Sequence, residues 1–281
     1  MKRWQFALTP RWIGYLSLAV VFAMVCCMLG AWQFQRRAEA RAEIDVVESN
    51  YDREAAPVDE VLASLDSYDE TQKWTPVLLE GRYLIDDQLL VRNRPRGGQP
   101  GFEVLTPFQL RDGGVFIVDR GWVPVGSRQD APDVVPQAPE GEVTVVARLK
   151  AGEPAIPGRE APAGSNQVPT IELGLIADRL GLPVYTGAYG LLASEDPAPA
   201  SAPATTVKPE PDEGPHLSYA LQWYVFAIIG FVGLGWALRE EYRAVNSDDP
   251  QERERAAERA RRKAARRPSD ADEEDALLDR S

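Results

Sequence analysis

The chain has few of the residues that most often bind metals or act as nucleophiles. Its 281 residues include two cysteines, one histidine and three methionines. The cysteines are adjacent, Cys26 and Cys27, and both lie in an uncharged apolar run, so the rest of the chain has no thiol for a disulfide or a thiolate metal site. A closed zinc site or a copper chaperone needs several such ligands, and the composition argues against both.

Motifs of the common enzyme classes are also missing. The sequence has no nucleophile elbow, phosphate-binding loop, dinucleotide fingerprint or metalloprotease helix. The usual nucleophilic triads are excluded as well, because the central part of the chain has neither cysteine nor histidine. A formal net charge of −12 disfavours nucleic acid as a partner. We therefore predict that the protein is not an enzyme.

Two uncharged apolar runs lie towards the ends of the chain, Ile13–Phe34 and Leu217–Leu238. Each has about 22 residues, enough for an α-helix to cross a hydrocarbon core about 30 Å thick. Tryptophans lie near the ends of both runs, where indole rings favour the membrane interface. We predict transmembrane helices at residues 12–34 and 216–238.

A cleaved signal peptide is the alternative interpretation of the first run. Lys2, Arg3 and Arg11 precede it, as basic residues precede the core of a signal peptide. The run is longer than a usual signal core, and no clean A-x-A cleavage pattern follows it. A retained anchor is therefore favoured.

The flanking charges predict the orientation of the two helices. Basic residues precede the first helix and are dense after the second, which places both termini in the cytoplasm. Arg36 and Arg37 oppose this assignment, but two glutamates follow them closely. The expected protein is a multi-pass protein of the cell membrane, with cytoplasmic segments at 1–11 and 239–281.

Residues 35–193 are expected to form a β-rich extracytoplasmic domain. A helix leaves the first span and breaks near Pro57, and segments of strand composition then alternate with glycine-containing turns. A late helix is predicted at Thr170–Leu180, capped by Thr170 and ended by Gly181. The fold class is α+β, with two transmembrane helices flanking an antiparallel sheet that could close into a barrel. The expected strands are Trp74–Leu79, Tyr83–Arg92, Phe102–Leu110, Val115–Asp119, Glu142–Leu149 and Val184–Leu192.

Two segments outside this domain are rich in polar residues or proline. Residues 194–215 contain proline, alanine and acidic residues, and are expected to form a disordered or extended linker rather than part of a core. The tail, 239–281, alternates dense charges of both signs and lacks apolar residues to bury. We expect it to be largely disordered, with a solvated charged helix as the alternative.

His216, the only histidine, lies where the linker meets the second span. It could be an interfacial residue beside a helix N-terminus, or a ligand of haem iron, for which a neutral imidazole is suited. On a helix, Tyr219, Ala220 and Trp223 share its face, and such a face could accommodate a flat macrocycle. Both interpretations remain open at this point.

The end of the first span carries Trp32, Gln33, Arg36 and Arg37. These residues could anchor the helix at the membrane interface. Alternatively, the arginines could bind carboxylates such as haem propionates. Gln33 is also a candidate for an interhelical hydrogen bond, as is Gln222.

Two short segments stand out within the domain, Arg92–Pro95 and Asp119–Pro124. Gly121 and Pro124 are expected to serve turn geometry and strand termination. Arg120 follows an apolar strand, and a structural role or an ion pair with an acid across the sheet are both open.

Five segments of the chain form a recognisable series: Leu29–Arg41, Gly81–Pro95, Pro100–Leu110, Asp112–Pro124 and His216–Ala227. In this order they resemble the SURF1/Shy1 family of cytochrome c oxidase assembly factors. The helix-end segments and the RGWVP segment are together fairly specific, although none of them is specific alone. The resemblance extends from about residue 12 to 240.

The resemblance implies a role in terminal-oxidase biogenesis, when haem a enters subunit I of an aa3-type oxidase of the respiratory chain. In bacterial members the histidine that opens the second helix is implicated in haem binding, and His216 is the matching residue. Expected partners are subunit I, haem a synthase as a second candidate, and membrane lipids. The alternatives are a scaffold that binds no haem, and a membrane-tethered sensor. The candidate haem-binding residues are His216 as iron ligand, Tyr219, Trp223, Arg36 and Arg120.

Overall fold

The computed structural model describes residues 4–127, 130–159 and 164–264. The chain divides into a helical unit, Met1–Ala38 with Gly214–Ser281, and a β-rich unit, Glu39–Glu213. The helices are α1 (Pro10–Asn50), α2 (Val58–Val61), α3 (Leu173–Leu180), α4 (His216–Val245) and α5 (Pro250–Ala264). The strands are β1 (Ala56–Pro57), β2 (Pro76–Tyr83), β3 (Leu89–Val91), β4 (Gly101–Leu110), β5 (Val115–Pro124), β6 (Val143–Ala151), β7 (Gln167–Val168) and β8 (Ala188–Asp196).

Helices α1 and α4 pack against each other through small residues. A Cβ on Gly30 would lie only 2.7 Å from the ring of Tyr224, and one on Gly230 would lie 3.2 Å from the ring of Phe22. The later α1 residue, Gly30, meets the earlier α4 residue, Tyr224, whereas Phe22 meets Gly230. The two helices therefore run antiparallel. Glycine allows such close approach, and small residues are typical of helix contacts in membranes. Both helices are long and apolar enough to cross a membrane, by length and composition.

Polar and aromatic contacts join the other ends of the same two helices. Arg11 forms an ion pair with Glu241 at 2.5 Å, and the ring of Trp4 stacks on Tyr242 with 4.5 Å between centroids. These contacts extend the antiparallel packing to the start of α1 and the end of α4. Lys2 and Arg3, which contributed to the predicted orientation, lie outside the described residues.

Five strands of the β-rich unit close into a barrel in the order β2, β6, β8, β5, β4, because β4 pairs with β2 as well as with β5. Closure occurs at Gly81, which is paired with both Val143 and Leu110. A Cβ on Gly81 would lie 2.0 Å from the carbonyl oxygen of Gln109, so the approach of the two strands requires glycine there.

The expected antiparallel sheet is only partly correct, because the sheet is mixed. β5 pairs with β8 in parallel over Val118 and Asp119, and the short strands β1 and β7 also pair in parallel, with β2 and β3. A parallel pair needs a long connection between its strands. The segment between β5 and β8 provides that connection, since it contains β6, β7 and α3.

Burial of both faces explains why β5 is almost continuously apolar. Phe116 and Val118 belong to the cluster that includes the β6 side chains, whereas Val115 and Ile117 pack with residues of α3. Successive side chains of a strand point to opposite faces, so one face lies in the barrel interior and the other is covered by the helix.

Several predicted elements have different bounds in the structure, and the largest differences are in one strand and one helix. The strand expected at Tyr83–Arg92 is interrupted by a 3₁₀ turn at Ile85–Asp87, which separates β2 from β3. Helix α3 begins at Leu173 rather than at Thr170, because the Glu172 side chain accepts a hydrogen bond from the backbone N–H of Leu175 and caps the helix.

The linker is extended, and it is bound to the domain. Ala204 forms two backbone hydrogen bonds with Trp122, each 2.9 Å long. The guanidinium of Arg96 donates to the carbonyl oxygens of Ala204 and Thr205 at 2.7 and 2.8 Å. The disordered alternative is therefore wrong for this part of the linker.

The tail is more ordered than expected over residues 239–264. Helix α4 continues to Val245, and α5 occupies Pro250–Ala264. Ion pairs on successive turns stabilise α5, which has no buried apolar face among its described side chains, and Arg262 with Glu258 at 2.7 Å is one of them. The rest of the tail, 265–281, lies outside the described residues.

Replacing Gly30 with valine should lower the thermal stability of the helical unit. The new side chain would collide with Tyr224, and overpacking of this kind costs roughly 1–3 kcal/mol. The matched control is Gly14→Val, since nothing lies within 4 Å of a Cβ at Gly14. Helical circular dichroism of the full chain in detergent, followed against temperature, measures the effect. Equal melting temperatures for the two variants would contradict the packing described above.

Candidate functional site

His216 is the first residue of α4, and its ring is oriented by a side chain of α1. The Nδ1 atom lies 2.8 Å from Oε1 of Gln33. An amide oxygen only accepts hydrogen bonds, so Nδ1 is the donor, and in the neutral imidazole Nε2 then carries the lone pair. The interhelical hydrogen bond expected of Gln33 is therefore present, with the histidine as its partner.

The Nε2 atom of His216 is the ring nitrogen that Gln33 does not bind. No other hydrogen bond to the ring occurs among the described residues. Gly214 lies next to Nε2, and a Cβ at Gly214 would lie 3.3 Å from that atom. The ring itself is half-buried. Gln33 thus fixes the orientation of the imidazole, as a second residue fixes the tautomer of a histidine in many metal sites.

The aromatic face expected beside His216 is only partly formed. Ala220 is fully buried, whereas Tyr219 is 48% exposed. Trp223 is half-buried and packs edge-on against Phe226 at 5.9 Å. Tyr219 and Trp223 remain beside the histidine on the helix, but Ala220 belongs to the helix contact.

Arg36 lies three residues after Gln33 on α1, about one helical turn further along, and its side chain is exposed. This spacing puts Arg36 and Gln33 on neighbouring positions of the same helix surface. Arg36 is therefore retained as a candidate for binding an acidic group near His216.

Arg120 is fully buried inside the barrel, so it is no longer a candidate for binding haem. Its side chain is 0% exposed, and it forms an ion pair with Glu195 at 2.9 Å. It also donates to the carbonyl oxygen of Pro136 at 3.0 Å and lies over the ring of Tyr83. A ligand outside the barrel cannot reach a guanidinium that is enclosed in this way. The ion pair across the sheet, one of the two open alternatives, is the one observed.

Glu195 also binds Tyr83, so Arg120, Glu195 and Tyr83 form a buried polar group. The hydroxyl of Tyr83 donates to Glu195 at 2.8 Å. Burial raises the pKa of Tyr83, and the negative charge of Glu195 raises it further. Arg120, Glu195 and Tyr83 therefore act as a structural element inside the barrel.

A second charged group joins the two segments that stand out in the sequence. Arg94 forms ion pairs with Glu103, at 2.9 Å, and with Glu153. The indole N–H of Trp122 donates to the carbonyl oxygen of Arg94 at 2.6 Å. Asp119 lies beside this group and is 2% exposed. Arg92–Pro95 and Asp119–Pro124 thus meet at one place in the fold.

Comparison with known proteins identifies the family. A model of the SURF1 family matches residues 20–228, which is most of the chain. The protein belongs to the SURF1 family. SURF1-like proteins of Mycobacterium bovis and Mycobacterium tuberculosis are each 33% identical to it over 247 residues, covering 87% of this chain and 89% of theirs. The cytochrome oxidase assembly protein SHY1 of Saccharomyces cerevisiae is 28% identical over 122 residues, which is 42% of this chain and 30% of SHY1.

The region matched to the SURF1 family contains both groups of residues described above. Gln33 and His216 lie in it, and so do Arg94 and Asp119. Sequence reasoning proposed His216 but missed the second group. The available signal was the pair of short segments, in which only Gly121 and Pro124 are assigned to turn geometry and strand termination. That interpretation is correct for Gly121, which has a φ of +124°.

The pKa values of two carboxyl groups near Arg94, those of Asp119 and Glu153, are shifted in opposite directions. The pKa of Asp119 is raised to about 7, mainly by burial and then by the charge of Glu103. The pKa of Glu153 is lowered to about 2, because its hydrogen bonds with Arg94, Thr170 and Ile171 together outweigh its burial. Two carboxyl groups of the same cluster therefore titrate in different pH ranges.

Replacing Arg120 with methionine should lower the free energy of unfolding by roughly 3–5 kcal/mol, since Glu195 would keep a buried charge without its partner. The control is Arg111→Met, because Arg111 is 62% exposed and pairs with exposed acids. Loss of such surface pairs costs about 1 kcal/mol or less. Urea unfolding of the full chain, followed by tryptophan fluorescence, measures both variants. Similar losses in both would show that Arg120 contributes no more than a surface arginine.

Asp119 should make the domain less stable as the pH rises from about 4 to about 7. Its pKa is about 7 in the folded protein, against a reference of 3.8, so the folded state binds more protons in this range. Asp119→Asn should therefore show a smaller fall in melting temperature between pH 5 and pH 8. Asp112→Asn is the control, because Asp112 accepts the same kind of hydrogen bond, from Gly114, in an exposed turn. An unchanged pH dependence in Asp119→Asn would rule out this titration.

Proposed function

We propose that the protein assists the assembly of an aa3-type cytochrome c oxidase, and that it handles haem a on the way to subunit I. Membership of the SURF1 family and similarity to the yeast assembly protein support the role in oxidase assembly. The observation that carries the haem proposal is the orientation of His216 by Gln33. Haem a is the cargo in this proposal, and the protein is not a catalyst.

The residues around His216 have the chemistry that haem a requires. In the proposed complex the lone pair of Nε2 of His216 binds the haem iron. The hydrogen bond to Gln33 keeps the proton on Nδ1. Tyr219 and Trp223 offer aromatic surface for the edge of a macrocycle. Arg36 offers a guanidinium for a propionate. When bound to the oxidase, haem a supplies the redox chemistry, and this protein only holds and positions it.

The proposal includes a topology in the cell membrane. Helices α1 and α4 each cross the bilayer, the β-rich unit lies on the outer side, and both termini are cytoplasmic. Arg11 before the first span and the dense arginines after the second support this orientation. Subunit I is the proposed partner, with haem a synthase as a second candidate that could supply the haem.

Removing the imidazole should abolish haem a binding. In full-length protein in lipid nanodiscs, we expect His216→Ala to lose the haem absorption band on titration with haem a. Gln33→Leu should weaken binding by about 10- to 100-fold, since that range is typical for loss of an orienting partner. Gln222→Leu is the control for the loss of a glutamine from the helix surface. If His216→Ala binds haem a as the parent does, the ligand role is wrong.

A cellular test separates haem handling from scaffolding. In cells that lack the gene, the haem a band should disappear from the reduced-minus-oxidised spectrum of the membranes, while other cytochromes remain. Complementation with His216→Ala should then restore co-purification with subunit I but not the haem a band. Full restoration of both would favour a scaffold that binds no haem.

A further inference from the structure

Helix α5 has no role in the haem proposal, although it is joined closely to the second membrane span. It follows α4 after residues 246–249, and Asp249 caps it by accepting a hydrogen bond from the backbone N–H of Gln251 at 2.9 Å. Arg253 is bound to the same turn through an ion pair with Asp248 at 3.0 Å. The apolar residues within 250–262 are alanines, and all of them are exposed. The surface of α5 is therefore dominated by its charged side chains.

Charge is distributed unevenly along this part of the chain. The segment 246–258 has five acidic residues and two arginines, whereas 259–267 has five arginines, one lysine and no acidic residue. The basic segment begins within α5, and its last three residues, 265–267, lie outside the described residues. A cluster of about four to eight basic residues soon after a membrane span is typical of segments that bind anionic lipid headgroups. The sequence thus places such a cluster just beyond α4, in a chain whose net charge is −12.

Three arginines of α5 share one face of the helix. Arg255, Arg259 and Arg262 are spaced by four and three residues, which places them on successive turns of the same side. Their side chains are 59%, 43% and 79% exposed. Glu252, which lies on the same side in the first turn, is only 7% exposed. The part of this face that is accessible to solvent is therefore basic.

The three arginines form ion pairs within α5, but these pairs leave guanidinium donors free for other acceptors. Arg255 and Arg259 lie 2.9 and 3.7 Å from Glu252, and Arg262 lies 2.7 Å from Glu258. Each guanidinium has five N–H donors, more than one such contact uses. Exposed pairs at this spacing are weak. Phosphate oxygens accept bidentate hydrogen bonds from arginine, so a layer of lipid phosphates can add to these pairs or replace them.

The connection to α4 holds α5 close to the bilayer. Leu238 ends the apolar run of α4, and the helix continues to Val245, about 10 Å further at 1.5 Å per residue. The short turn 246–249 then leads into α5. Because α5 is attached at this distance, its binding to headgroups is an intramolecular event at high effective concentration. A headgroup layer is therefore favoured over a soluble acidic protein as the partner of this face.

We propose that the basic face of α5, formed by Arg255, Arg259 and Arg262, binds anionic lipid headgroups of the membrane that α4 crosses. The proposed topology puts this contact on the cytoplasmic side. The inference rests on the membrane crossing of α4 given under the proposed function. It uses none of the residues around His216, so haem binding and lipid binding by α5 are tested separately.

The test is hydrogen–deuterium exchange of full-length protein in two kinds of nanodisc, one of phosphatidylcholine alone and one that also contains phosphatidylglycerol. A helix of 15 residues without a buried apolar face opens readily in water, so headgroup binding should slow the exchange of its amides. We expect phosphatidylglycerol to slow exchange in 250–264 at least about fivefold, and salt at about 0.5 M to remove the difference. Leu217–Leu238 is the internal reference, because its amides stay protected in both discs if α4 crosses the bilayer. Loss of that protection would contradict the crossing itself, whereas loss of the lipid effect alone would contradict only the role of α5.

Variants separate the basic face from the net charge of the protein. Glutamine at all three arginines of the face should remove the lipid effect, and lysine at the same positions should retain it, since both residues support a helix and only lysine is charged. The matched control is Arg53→Gln, Arg82→Gln and Arg111→Gln in one chain, which removes three exposed arginines of the β-rich unit. This control should show the same lipid effect as the parent.

Three results would overturn the proposal. The first is equal exchange of α5 in the two discs, and the second is a lipid effect that persists in the glutamine variant. The third is slow exchange in both discs that is lost when the six acidic residues between 270 and 279 are changed to their amides. The third result would show that α5 binds the tail of its own chain instead of lipid.

Discussion

The hydrogen bond between Gln33 and His216 is the contact on which the functional account depends. It requires that the end of α1 and the start of α4 lie side by side. The close approach at Gly30 and Tyr224 makes this possible, because a larger residue at position 30 would separate the helices. Close packing at Gly30 thus allows Gln33 to orient His216, which lies 183 residues further along the chain than Gln33.

The β-rich unit buries several charged side chains in and around its closed barrel. Arg120 is enclosed with Glu195 and Tyr83, so every strong charge in that group has a partner. Asp119, the residue next to Arg120, points to the opposite face of β5, where its carboxyl group accepts a hydrogen bond from the backbone N–H of Gly121 and forms no ion pair among the described residues. Adjacent residues of one strand are therefore buried in different ways, Arg120 by an ion pair in the barrel interior and Asp119 by a backbone hydrogen bond on the other face.

Much of the architecture could be predicted because it depends on local sequence. The two apolar helices follow from the length and lack of charge of their segments, and the left-handed conformation of Gly181 follows from its place after a helical pattern. The resemblance to the SURF1 family and the choice of His216 rest on short segments of the same kind. These predictions need no knowledge of which segments meet in space.

The remaining features depend on contacts between distant residues. Closure of β4 onto β2, the parallel pairing of β5 with β8 and the ion pair between Arg120 and Glu195 all join separate parts of the sequence. The linker was expected to be outside the core because of its composition, yet Arg96 and Trp122 bind it through its backbone. Composition describes side chains, so it does not reveal where the backbone of a segment finds hydrogen-bond partners.

The most direct test uses the fact that the chain has a single histidine. A long-range ¹H–¹⁵N spectrum of full-length protein labelled with ¹⁵N-histidine, prepared without a histidine tag, reports the protonation of one imidazole. The account predicts a neutral ring with the proton on Nδ1 and an unprotonated Nε2, and a mixture of tautomers in Gln33→Leu. A parent spectrum with the proton on Nε2, or one unchanged by Gln33→Leu, would contradict it.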